Sequence, residues 1–151
     1  MILAIDPGTL QLGFAVLEQD VLYTAGVLKL KPKDPIGMRL RSIHRTVSDM
    51  ICNHKQTKIA IETPFMHRNA QTFLKLGYVR GIIHMLAAEH DIEVIELSPR
   101  TIKQRVTGSG SATKEDVAWA LAKFFPAYRN ELKITNKHDM TDAIAVGVAS
   151  L

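Results

Sequence analysis

The chain opens in short β-rich runs and passes, after about thirty residues, to apolar positions recurring three and four apart. Met1 to Asp6, Gln11 to Glu18 and Val21 to Leu30 read as strands, separated by Asp6-Pro7-Gly8-Thr9 and by a polar break around Gln19-Asp20. Their connections are too short for a crossover helix, so the three strands should pair antiparallel as a meander. From Pro35 to His54, Ile36, Leu40, Ile43, Val47, Met50 and Ile51 recur at helical spacing, and Lys58 to Glu62 is a short apolar strand ending in an acid. Ala70 to His90 is helix-like, with Phe73, Leu74, Gly77, Gly81, Ile82, Met85 and Leu86 as its expected buried face; Ile92 to Leu97 then makes a fifth strand. Pro99 starts a short helix, Thr113 opens another with Glu115 and Asp116 in its first turn, and Asp139 to Leu151 reads as the last. The predicted class is α/β: a five-stranded mixed sheet, an antiparallel meander plus two parallel strands, flanked by helices. No repeat, low-complexity stretch or linker divides it, so one domain over residues 1–151 is expected.

Composition narrows the class. The first apolar run has no basic flank and stops at Asp6, far short of the ~20 residues of a membrane span, which predicts a soluble, intracellular protein with no membrane partner. Cys52, the single cysteine, has no partner for a disulfide or a zinc cluster and reads as small apolar filler. A net charge of +4 and a pI near 9.3 point only weakly to nucleic acid. The distribution says more. No acid occurs between Thr63 and Ala88, where His67, Arg68, Lys75, Arg80 and His84 lie, or from Leu97 to Lys114, where Arg100, Lys103, Arg105 and Lys114 lie. Two acid-free basic tracts could face one polyanion, or could be ordinary solvated surface.

The acids are placed differently. Asp6 closes the first strand, Glu62 closes the fourth, and Asp139 and Asp142 begin the last helix. If the first and fourth strands are parallel neighbours, Asp6 and Glu62 stand side by side at their carboxyl ends. Asp139 and Asp142, at i and i+3, share a helix face and can turn toward that edge. Singly, each has a plain alternative as a turn former, a loop acid or a helix cap. Jointly, four converging carboxylates repel unless cations neutralise them, and hard oxygen ligands suit Mg²⁺, with Mn²⁺ as a substitute. Two such ions ~3.5–4 Å apart can activate a water on one side of a phosphodiester and stabilise the departing 3′-oxyanion on the other, leaving 5′-phosphate and 3′-hydroxyl ends.

Five ordered blocks then carry a resemblance. Ile5-Asp6-Pro7-Gly8-Thr9, Ile61-Glu62-Thr63-Pro64-Phe65-Met66, Asn69 with Leu74-Lys75-Leu76-Gly77 and Arg80-Gly81, Lys103-Gln104 with Gly108-Ser109-Gly110-Ser111-Ala112 and Lys114, and Asp139-Met140-Thr141-Asp142-Ala143 together resemble the RuvC family of Holliday junction resolvases, within the RNase H-like superfamily. The resemblance runs over nearly the whole chain and departs from the family's pattern at Thr63-Pro64. It implies that Asp6, Glu62, Asp139 and Asp142 are the metal-binding catalytic acids, and that Lys103 and Lys114 serve DNA binding or the transition-state charge. It also implies a homodimer around Gly77 and Gly81, four-way or branched DNA as partner, and paired symmetric nicks. Branch-migration proteins stand as further candidate partners, and the site of action would be a bacterial cytoplasm, nucleoid-associated, or the host cytoplasm for a phage-encoded chain.

Some relatives carry a histidine where Asp139 lies, so His138 is a second candidate at that position, although Asp139 keeps the i, i+3 spacing to Asp142. Phe65 follows the Glu62 strand in a Pro-containing turn, where an exposed ring could stack on an unpaired base; burial is the alternative. With Arg68, Lys75 and Arg80 it completes the candidate DNA-binding set. Two other functions compete: an RNase H-like nuclease acting on RNA, hybrids or flaps, and a catalytically silent junction-binding protein, against which four retained acids count. A sugar-kinase-like ATPase also opens with Asp-x-Gly-Thr but needs a much longer chain.

Overall fold

The computed structural model describes residues 1–55, 57–64, 70–132 and 138–151. Strands β1 (Ile2–Asp6), β2 (Gln11–Glu18) and β3 (Val21–Lys29) pair antiparallel, as their short connections require. Helix α1 (Ile36–His54) carries the chain back so that β4 (Lys58–Glu62) adds parallel to β1, and α2 (Ala70–Glu89) does the same for β5 (Glu93–Leu97) beside β4. The sheet order is β3-β2-β1-β4-β5. Helices α3 (Pro99–Thr107), α4 (Lys114–Phe124), α5 (Arg129–Leu132) and α6 (His138–Ala149) follow. The five-stranded mixed sheet flanked by helices that the pattern predicts is the one observed.

Strand parity divides the core into two layers, because successive side chains on a strand face opposite ways. Leu3, Ile5, Val16, Ile59 and Ile61 pack with Ile43, Val47 and Ile51 of α1 and with Val79, Ile83 and Leu86 of α2. Ile2, Ala4, Ala15, Leu17 and Ala60 face the other way, onto Ala143, Ile144, Ala145, Val146 and Ala149 of α6. Fully burying one of these larger side chains contributes roughly 1.5–3 kcal/mol. The α6 side is built from small residues, and this draws the helix close. A β-carbon on Gly147 would collide with the Leu17 side chain and come within 3.1 Å of Ala4 Cβ, so α6 lies almost on the strands.

Two expectations are corrected. In α2 the buried residues are Val79, Ile83, Leu86 and Ala87, whereas Phe73, Leu74 and Met85 are 40%, 56% and 46% exposed and Gly77 and Gly81 meet nothing across the helix. The helix is apolar around most of its circumference, so spacing alone could not choose the face. Cys52 is exposed and fills no core position, because the inward stripe of α1 runs through Ile43, Val47 and Ile51.

Candidate active site

The same parity aims the acids. In β1, Ile2 and Ala4 face α6, and Asp6 continues that series; in β4, Ala60 faces α6 and Glu62 follows it. Ile5 pairs with Ile61 in parallel register, so Asp6 and Glu62 are the next residues at the carboxyl edge of two adjacent strands. From above, the N-terminal end of α6 supplies Asp139, in its first turn, and Asp142 just after it. The approach depends on Gly13, which pairs with Asp6 across β1 and β2 and whose missing side chain leaves room for the Asp139 carbonyl and for Ala143.

Electrostatics report the convergence. Burial first, then the charges of Asp142, Glu62 and Asp139, push the Asp6 carboxyl up from 3.8 to about 8, with Lys114 pulling the other way. Lys114, at the start of α4, donates to Asp142 Oδ2 at 2.9 Å. Partial burial disfavours its charge, yet the bond to Asp142 and the fields of Asp142, Asp6 and Asp139 raise its pKa overall. As the side chains stand, no three His, Cys, Asp or Glu groups among the described residues form a ready metal cluster. Like charges at one edge repel, and Lys114 holds an oxygen of Asp142, so an open arrangement is the physical expectation. The coupling reaches further than a coordination bond. Both observations fit a site that a cation would draw together.

The loop that delivers Asp6 is held from outside. Arg39 of α1 donates to the Thr9 carbonyl at 2.9 Å and to the Asp34 carbonyl at 3.2 Å, and Gly8 has the Gln11 carbonyl where a side chain would stand. The α4 start is fixed by a capping box, Thr113 with Asp116, which orients Lys114 toward α6.

The remaining basic candidates are dispersed. Lys75 is exposed on α2, and Lys103 is half-buried on α3, with no bond to the acids among those described. His138 is exposed at the first position of α6, next to Asp139. Phe65, Arg68 and His67 lie outside the described residues. Arg80 is not a free surface cation: it bonds the Glu62 carbonyl and the Glu96 carboxylate at 2.9 and 2.6 Å. Arg105 is likewise engaged, with the Ala149 carbonyl at the end of α6. The acid-free tracts therefore contain structural arginines, which charge counting could not separate from exposed ones.

Sequence reading missed Gly13 and Glu96. A glycine inside the strand pattern Gln11-Leu12-Gly13-Phe14 was the available signal for a close backbone approach. Glu96 gave no such signal, because β5 carries Glu93 as well and either acid reads as ordinary exposed surface. A cavity of about 630 Å³ lies apart from the acids, between the end of α3 and α4, lined by Val106, Ala112, Trp119 and Phe124. Its one acid, Asp116, is occupied by Thr113, so it offers no hydrolytic group.

The chain is similar to known proteins over nearly its whole length. The profile of the family described as "Crossover junction endodeoxyribonuclease RuvC" matches residues 2–150. The chain is 35% identical to the crossover junction endodeoxyribonuclease RuvC of Chlorobium phaeobacteroides, over 100% of this chain and 81% of the relative. It is 32% identical to the protein of that name from Chlamydia caviae, over 98% and 90% of the two chains. Among solved structures, Thermus thermophilus RuvC in complex with a Holliday junction substrate superposes with a TM-score of 0.88 at 25% identity, covering 98% of this chain and 90% of that one. A fowlpox virus resolvase bound to Holliday junction DNA shares the fold alone, with a TM-score of 0.64 at 14% identity, over 99% and 97% of the chains. With a full-length profile match and four acids brought to one sheet edge, the chain belongs to the RuvC family of crossover junction endodeoxyribonucleases.

Proposed function

We infer that the chain is a structure-selective endodeoxyribonuclease that resolves Holliday junctions and related branched DNA in recombination and repair. The observation that carries this reading is the crowding of Asp6 by Asp142, Glu62 and Asp139 at the carboxyl edge of β1 and β4. The donor set is all hard oxygen, and an isolated Asp6 carboxylate is costly to ionise, which is what a divalent-cation site requires. The inferred cofactor is Mg²⁺, replaceable by Mn²⁺, at two ions per site; when bound it would supply charge neutralisation and an activated water for phosphodiester hydrolysis to 5′-phosphate and 3′-hydroxyl ends.

In this reading Asp6, Glu62, Asp139 and Asp142 hold the ions, with His138 the alternative at the Asp139 position. Lys114, already at this edge, would meet the scissile phosphate and offset the charge that grows on it. Lys75 and Lys103, with Arg68, would steer the backbone of the arms, and Phe65 would stack on a base at the crossover.

Two nicks need two sites. The outward face of α2 carries Phe73, Leu74, Tyr78 and Met85, an apolar surface that supports a homodimer with its sites related by a two-fold axis. Branch-migration proteins are the inferred further partners. Action on cellular or phage DNA implies a cytoplasmic site, nucleoid-associated in a bacterium, and no described helix is long and apolar enough to cross a membrane.

The test is cleavage of a labelled four-way junction beside duplex, flap and RNA·DNA hybrid controls, in Mg²⁺, Mn²⁺, Ca²⁺ or EDTA. Symmetric nicks confined to the junction, dependent on Mg²⁺ or Mn²⁺, are the expected result. Preferential cutting of flaps or hybrids would move the protein to a broader nuclease role, and binding without cleavage in every metal would make it a junction-binding protein.

A further inference from the structure

Arg80 hangs from α2 over the ends of β4 and β5. Its Nη1 donates to the Glu62 carbonyl at 2.9 Å and its Nη2 to Glu96 Oε2 at 2.6 Å, with the arginine side chain only 15% exposed. His84, one turn further along α2, meets the other Glu96 oxygen at 3.0 Å. Both oxygens of Glu96 are thus engaged, and the consequence is visible in its acidity. Partial burial works against its charge, but the Arg80 bond and charge, followed by those of His84, hold the carboxyl below its usual value.

The Glu62 carbonyl belongs to the same peptide unit as the Thr63 amide. That amide donates to the Leu97 carbonyl at 2.8 Å, so the unit is gripped at both polar atoms, by β5 on one side and Arg80 on the other. This grip lies where β4 ends and Pro64 follows. Fixing this peptide plane fixes ψ of Glu62, and with it the backbone from which the carboxylate projects. A planar fork with two anchored nitrogens suits the task better than a single ammonium could.

We propose that Arg80 is a positioning residue for Glu62, with Glu96 and His84 as its anchor, and not a contact to DNA. The inference rests on Glu62 being one of the metal-binding acids. A phosphate approaching Arg80 would also meet Glu96 at 2.6 Å from the guanidinium, and the resulting repulsion argues against a backbone contact. Outer partners of metal ligands typically act through geometry and affinity, at about 10–100-fold when lost.

The experiment compares the wild-type protein with Arg80→Ala, Arg80→Lys, Glu96→Gln and Glu62→Gln. Four readouts are taken: melting temperature, junction affinity against salt in Ca²⁺, cleavage rate at saturating junction, and the Mg²⁺ or Mn²⁺ concentration giving half the maximal rate. Arg80→Ala is expected to lower the saturated rate by about 10–100-fold and to raise the half-saturating metal concentration. Its salt slope for junction binding should match the wild type. Arg80→Lys, which keeps the charge but lacks the rigid, spaced fork, should fall between, and Glu96→Gln should shift in the same direction, with the Arg80→Ala/Glu96→Gln double variant far from additive. These two milder variants carry the test if Arg80→Ala does not fold.

A salt slope reduced by about one, with an unchanged saturated rate, would make Arg80 a phosphate contact and overturn the proposal. A lowered melting temperature with unaltered rate and metal dependence would reduce it to a structural tie. Wild-type cleavage by Glu62→Gln would instead remove the premise, and the proposal with it, whereas an inactive Glu62→Gln beside unaffected Arg80 variants would refute the positioning role alone.

Discussion

Gly13 and Asp139 touch backbone to backbone: a β-carbon on Gly13 would overlap the Asp139 carbonyl. Because Gly13 is also the register partner of Asp6, this one contact seats the first turn of α6 over the end of β1. Gly13→Ala is therefore expected to lift the start of α6, at a cost of about 1–3 kcal/mol for overpacking. Displacing two acids by an ångström should also lower cleavage, by as much as about 100-fold. Thermal melts and single-turnover junction cleavage check both effects, and a variant that melts and cuts like the wild type would show that the site does not depend on this approach.

Asp6→Asn, Glu62→Gln and Asp142→Asn are each expected to abolish cleavage while leaving junction binding in Ca²⁺ intact. Gel-shift and cleavage assays run on the same junction separate the two properties. Any one of these variants that retained the wild-type rate would lose its place among the ligands.

The metal-free protein should lose stability as the pH rises from about 4 to about 8. Asp6 titrates near 3.8 when unfolded and near 8 when folded, so the folded state holds the proton more tightly and protons favour folding across that window. The contribution of this group is greatest below the lower value and is lost by the upper one. Asp6→Asn should flatten the wild-type dependence. At pH 8, Mg²⁺ or Mn²⁺ should raise the melting temperature of the wild type and do so much less in Asp6→Asn, since a ligand that binds only the folded state stabilises it. Equal melting curves for the two proteins at both ends of this range would contradict the crowding of Asp6.

The exposed face of α2 predicts association. Sedimentation at micromolar concentration should give twice the 16.8 kDa chain mass, and Leu74→Glu should return it to the chain mass. That variant should still bind metal but lose coordinated cutting of opposite strands. A wild-type monomer under these conditions would leave the paired-nick reading without its second site.

Much of the fold was legible in sequence because the decisive signals are local. The short connections after Asp6 and around Gln19-Asp20 leave antiparallel pairing as the only economical arrangement, and the helices before Lys58 and Glu93 supply the parallel crossovers. Arg80 shows where such reasoning stops. It lies in an acid-free tract, and no reading of that tract shows that Glu96, sixteen residues away, stands at 2.6 Å. Ion pairs between elements depend on strand order and helix placement, which no window of sequence contains.

By itself, then, the sequence determined the order of the five strands and the longer helices, the placing of Asp6 and Glu62 at strand ends, and the i, i+3 pairing of Asp139 and Asp142, since backbone geometry repeats with a fixed period. Tertiary structure alone decided which face of α2 is buried, that Cys52 points outward, that Gly13 admits α6, and that Arg80 is committed to Glu62 and Glu96. An apolar helix has several faces that could be buried and a cation has many acids within its reach. Close packing between distant segments selects one of each.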